Sequence, residues 1–278
     1  MKGDTNLTRV LLAAVAIASV GGACTFGSDD ARSAPPEKER IERSCAANAR
    51  VVAGLDEIVI STNALQTDEP DPAEVTGALP KIQADYDELV APAVTELQAD
   101  PPSELRAEIE RLVGQLQRFR DAGDTALLEP DATSTIDAFY YENCSTTRSE
   151  IDATEYAFGG STTFVPGVVR FKLVNNGSEL HHMVLFRRTS GTTESLDQLL
   201  VLPEVEMSEK LAAVAGSGPV RPGSSTYVTG TLERGDYAMV CFVSEGSTPE
   251  RVEGGAPVFG ESAPPHFALG MKRELTVG

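Results

Sequence analysis

Imidazole, thiol and thioether side chains are the groups in this chain best suited to chemistry. All three histidines, His181, His182 and His266, lie in the C-terminal half, near strand ends or loops that also hold Cys241 and Met271. Such donors together suit a soft or borderline metal ion. The cysteine arithmetic points the same way. Of four cysteines, Cys45 and Cys144 bracket a helical region and are expected to form a disulfide in an oxidising compartment. Cys24 belongs to an N-terminal export signal, so Cys241 is left over, and an odd thiol in an exported chain reads as reactive, paired or metal-bound. Each residue also has a plainer use. Cys241 can be an ordinary buried thiol, Met271 a core residue, and His266 a hydrogen-bonded loop residue.

The elements around these residues have a period of two. From about Ser149 the runs IDATEYAF, VVRFKLVN, HMVLFRR, STYVTGTL, YAMVCFV and RELTV are short and rich in Val, Phe, Tyr and Thr. Turns such as Asn175-Asn176-Gly177, Arg221-Pro222-Gly223 and Arg234-Gly235-Asp236 separate most of them, and this grammar predicts a β-sandwich. Alternation along one strand places Tyr237, Met239 and Cys241 on one face and Ala238, Val240 and Phe242 on the other. The segment Ser195 to Val214 reads as helical and is expected to cross outside the sandwich.

Three segments resemble a known family. Asn175 to Phe186 (NNGSELHHMVLF) looks like the plastocyanin-type stretch that ends a strand, turns and delivers a histidine. Gly235 to Cys241 (GDYAMVC) resembles the G-x-Y-x-x-x-C strand of cupredoxins, and Pro265 to Met271 (PHFALGM) resembles their closing H-x4-M. The resemblance covers about residues 150–278 and keeps the family's order of His, Cys, His and Met. It implies one type 1 copper held by His181, Cys241, His266 and axial Met271. It also implies that His182, where relatives often carry Asn, braces the site, with His181 or His182 as the ligand left open. Two imidazoles and a thiolate give a trigonal site usable by both copper oxidation states, and a weak thioether tunes its potential. The sequence departs from the family in one respect: 24 residues, Phe242 to Pro265, separate the cysteine from the second histidine. Closing a loop of that length costs little if its ends are pinned.

The preceding half reads as helical from about Glu37 to Thr147. Ile41, Cys45, Ala49, Val52 and Leu55 recur at helical spacing, as do Val75, Leu79, Ile82, Tyr86, Leu89 and Leu97, and then Leu105, Ile109, Leu112, Val113, Leu116 and Phe119. Breaks at Asp71-Pro72, Asp100-Pro101-Pro102-Ser103 and Glu129-Pro130-Asp131 divide it into four helices, the last from about Ser134 to Cys144. Short loops favour an antiparallel four-helix bundle, whose first and last helices would bring Cys45 to Cys144. The expected class is therefore α + β with two domains: a bundle over 37–147 and a cupredoxin-like Greek-key β-sandwich over 149–278.

At the N-terminus Lys2 and Arg9 precede the apolar run Val10 to Val20, then Gly21-Gly22-Ala23 and Cys24. This reads as a signal peptide over 1–23, too short to span a bilayer. Cys24 resembles a lipobox cysteine, although Gly21 stands where Leu is usual. The expectation is lipidation at Cys24, a tether over 24–36 and anchorage at the extracytoplasmic face of the cell membrane. A plain secretory signal is the alternative. Net charge is −19 for the whole chain. That balance argues against nucleic acid as a partner and suits a cationic redox protein. No catalytic triad, phosphate loop or HExxH motif is present. The expectation is thus an electron-transferring copper protein and not an enzyme. The alternatives are a copper-free binding module and a protein for copper sequestration or delivery.

Overall fold

In the computed structural model, residues 36–62, 71–128, 133–256, 258–259 and 263–278 are described. The expected signal peptide, Cys24 and the tether up to residue 35 lie outside the described residues. Helices occupy the N-terminal part and strands the C-terminal part, giving an α + β molecule.

The apolar stripes form their helices: α1 (Glu37–Ser61), α2 (Pro72–Asp85), α3 (Ala91–Ala99), α4 (Arg106–Ala122) and α5 (Ser134–Asn143). Asp71 starts α2 by accepting the Ala73 N–H, and Pro72 stands in the first turn, where its missing donor is harmless. The helical part is more subdivided than four helices. A π turn, Tyr86–Val90, joins α2 to α3, and short 3₁₀ turns occur at Ser103–Leu105 and Thr125–Leu128. A π turn inserts a residue and shifts the phase of the helix. The expected stripe residue Leu89 consequently points outward, while Val90 is buried. Cys45 and Cys144 are disulfide-bonded, 99 residues apart in sequence.

The strands are β1 (Thr147–Thr154), β2 (Ala157–Phe158), β3 (Thr163–Phe164), β4 (Gly167–Asn175), β5 (Val184–Arg188), β6 (Leu211–Gly216), β7 (Ser225–Leu232), β8 (Gly235–Val240) and β9 (Lys272–Val277). They form two sheets, ordered β2-β1-β4-β7 and β3-β9-β8-β5-β6. The pairs β1–β4 and β3–β9 are parallel and the others antiparallel. Ile151, Phe171, Leu173 and Val228 from the first sheet and Leu185, Tyr237, Met239 and Leu275 from the second share the inner core. Ala238 and Val240 face the other way, as the period of two requires.

Each sheet has an outer cover. On the first, α1 and α5 pack against β7, and α5 also meets β4. On the second, α6 (Leu196–Leu199) and α7 (Glu204–Lys210) carry Leu196, Leu199 and Met207 onto Phe186, Ala238 and Val240. The expected helical segment Ser195–Val214 needs correction here. It holds two short helices and ends in β6, because Leu211–Gly216 gains ladder bonds along β5.

Candidate metal centre

The first site segment is set by Asn175 at the end of β4. Its buried side chain donates to the carbonyls of Glu179 and Val220, each at 2.7 Å, and accepts the Gly177 N–H at 2.9 Å. These bonds shape the turn that delivers His181, whose backbone bridges to Val220. Gly177 is required by crowding: a Cβ there would lie 2.7 Å from His181 Nε2 and collide with the Glu155 carboxylate.

The second segment is β8, which ends one residue before Cys241. The third is a 3₁₀ turn, His266–Leu269, closed by Gly270 with φ 121°, a backbone shape that favours glycine. Direct bonds bind these segments. The Cys241 carbonyl accepts the Phe267 N–H at 2.9 Å, Cys241 N donates to Met271 O at 3.1 Å, and Met271 N donates to His266 O at 2.9 Å. The intervening excursion is pinned at its neck. His266 N donates to Val243 O at 2.8 Å, Glu245 N donates to Pro264 O at 2.9 Å, and Ser244 bridges to Pro265. The second histidine therefore returns to the cysteine despite the length of the segment between them.

His181, Cys241 and His266 converge, their donor atoms all within 4.8 Å of one another. The two Nδ1 atoms are 3.1 Å apart, and Cys241 Sγ is 3.5 Å from His266 Nδ1. All three residues are fully buried. Burial, reinforced by the charge of His266, pushes the His181 pKa down to about 4. Burial also lowers that of His266, against the pull of Glu179. Both shifts favour the neutral imidazole, the form that binds metals. Burial pushes the Cys241 thiol up to about 11, although N–H groups of His182 and Val243 point toward the sulfur. A thiol in such a place ionises readily only for a cation.

Met271 is fully buried in the same core as Cys241. His182 stands apart from the group: its Nε2 accepts the Phe242 N–H at 2.7 Å, while its backbone N–H approaches Cys241 Sγ at 3.5 Å. Two residues that sequence reasoning missed complete the surroundings. Glu179 Oε2 lies 3.1 Å from His266 Nε2, and Glu155 Oε1 lies 3.6 Å from His181 Nε2. Nothing in their spacing distinguishes them from the many other acidic residues.

The donor set fits a metal ion on the molecule's own terms. Two buried imidazoles face their Nδ1 atoms at each other, and without a cation one of the two must carry a proton between them. A buried thiol shares the space, and these donors in a trigonal set are those of a copper site. The fold and site together define a β-sandwich with a candidate metal site, and the C-terminal half resembles the cupredoxins.

Solved structures similar to about half of this chain include auracyanin B, with 24% identity over 48% of this chain and 89% of that one (TM-score 0.29). Auracyanin A, a "blue" copper protein of Chloroflexus aurantiacus, shares 19% identity over 48% of this chain and 98% of its own (TM-score 0.27). Rusticyanin from Thiobacillus ferrooxidans shares 17% over 49% and 80% (TM-score 0.29). No protein-family model and no curated protein matches the chain.

Proposed function

We propose that the chain is an exported, lipid-anchored electron carrier with one type 1 copper bound by His181, Cys241 and His266, and with Met271 as the axial donor. The observation that carries this reading is the convergence of two imidazoles and one thiol, all fully buried. Copper supplies a one-electron couple when bound. The protein's part is to hold the ligands still, and ties among three strand ends and the pinned neck of residues 242–265 suit that task. His182 braces the residue after the cysteine and is not a ligand in this reading.

The remaining proposals follow from sequence. Cys24 carries the lipid and places the protein on the extracytoplasmic face of a membrane. Among the described residues no helix is long and apolar enough to cross one. The acidic surface favours a cationic redox partner. The helices, as an antiparallel bundle beside a Greek-key sandwich, act as spacer or docking layer, and the protein is a carrier without catalysis of its own.

The test is to load the soluble part with Cu(II) and record its visible spectrum beside Cys241→Ser. An intense thiolate-to-copper band lost in the mutant supports the reading. Tight Cu(I) binding without a coloured Cu(II) form would point to sequestration, and no bound copper to a metal-free module. Replacing Cys24 by Ala and fractionating cells tests the anchor, since an unanchored product should leave the membrane fraction.

A further inference from the structure

We propose that Glu179 is a positioning residue that fixes the nitrogen His266 presents and, together with the charge of Glu155, biases bound copper toward its oxidised state. The inference rests on the copper reading above and deepens it.

A carboxylate can only accept a hydrogen bond. With Glu179 Oε2 at 3.1 Å, His266 Nε2 must carry the proton, which leaves the Nδ1 lone pair free. That Nδ1 is the atom facing His181 Nδ1 and Cys241 Sγ. A carboxylate behind a ligating imidazole sets its tautomer and raises its basicity.

Glu179 is itself held. Gly246 N–H donates to its Oε2 at 2.6 Å and the Tyr156 hydroxyl to its Oε1 at 3.1 Å. The Gly246 donor belongs to the long segment between Cys241 and His266, which gives that segment a part in the site. The Tyr156 ring also packs on the His266 ring, with centroids 4.8 Å apart.

Glu155 Oε1 stands 3.6 Å behind His181 Nε2, beyond hydrogen-bond distance, and contributes its charge alone. Its Oε1 is held by the N–H groups of Ser178 and Glu179 and by the Ser178 hydroxyl. Glu245 and Arg251 line a cavity of about 470 Å³ with Glu179 and add charges of opposite sign.

Two carboxylates stand behind the donor group. Cu(II) carries one more positive charge than Cu(I), so negative charge held in a poorly solvated place stabilises the oxidised ion more. Glu179 and Glu155 therefore lower the reduction potential.

The experiment compares midpoint potentials and visible spectra of copper-loaded wild type, Glu179→Gln, Glu179→Asp and Glu155→Gln. Glu179→Gln should keep the band and weaken Cu(II) relative to Cu(I) about tenfold or more, an upward shift of about 59 mV for a one-electron couple. Glu179→Asp, which keeps the charge, should stay near wild type, and Glu155→Gln should shift upward by less. An unchanged potential in Glu179→Gln, or equal shifts in Gln and Asp, overturns the inference while leaving the copper reading intact. Should Glu179→Gln fail to fold, the more exposed Glu155→Gln decides by the presence or absence of its upward shift. A wild type without a thiolate-to-copper band overturns both.

Discussion

The imidazole of His182 accepts the backbone N–H of Phe242 across 2.7 Å, joining the residue that follows His181 to the residue that follows Cys241. The bond places His182 beside the metal group and turns its side chain away from it. Its pKa is pushed down to about 3 by burial, so the ring stays neutral and able to accept.

Replacing His182 by Ala leaves the Phe242 N–H without its acceptor, at a cost of roughly 1–3 kcal/mol. His182→Asn keeps an acceptor and should lose less. Urea unfolding of the two variants checks the order. In the copper-loaded protein His182→Asn should retain the thiolate-to-copper band and His181→Asn should lose it, and the reverse pattern would exchange their roles.

Gly177→Ala should weaken copper binding by forcing His181 and Glu155 apart, since the new methyl would approach His181 Nε2 to 2.7 Å. A Cu(II) titration should show at least about a tenfold loss, roughly 1.4 kcal/mol. Unchanged affinity would mean that the turn relaxes without moving His181.

Arg170 joins the helices to the sandwich. It is 2% exposed, donates to Asn48 Oδ1 at 3.1 Å, Thr229 Oγ1 at 3.0 Å and Cys45 O at 3.1 Å, and lies against the Tyr140 ring. Arg170→Leu strands those acceptors, and a loss of about 1–3 kcal/mol is expected from denaturant unfolding. A loss below about 1 kcal/mol would show that the interface does not depend on the guanidinium.

Asp56 and Asp137 should contribute stability that falls as pH rises from about 4 to 7, against the buried His181, His182 and His266, whose lowered pKa values act in the opposite direction. Burial raises Asp56 to about 7. It also raises Asp137 to about 6, against the Thr133 hydroxyl and the charge of Arg170. Folded pKa values above the unfolded ones mean that the native state binds more protons, so this contribution is complete below about pH 4 and lost through each folded pKa. The loss is on the order of a few kcal/mol. Asp56→Asn should gain stability relative to wild type as pH rises across this range in unfolding measurements, and a difference that does not change with pH would refute the assignment.

Much of the architecture follows from local pattern. Period-two runs became β4, β7, β8 and β9, and the stripe from Ile109 to Phe119 became α4, because burying one face is decided by spacing alone. The order of His181, Cys241, His266 and Met271 was likewise readable, since each sits in a short segment with its own turn residues. Leu89, β6 and the two glutamates were not. A π turn changes helical phase without a sequence mark, and β6 exists because β5 offers it an edge. Glu179 and Glu155 differ from other acids only by facing His266 and His181. Which carboxylate meets which imidazole is settled by three chain segments meeting in space, a relation that no spacing along the chain records.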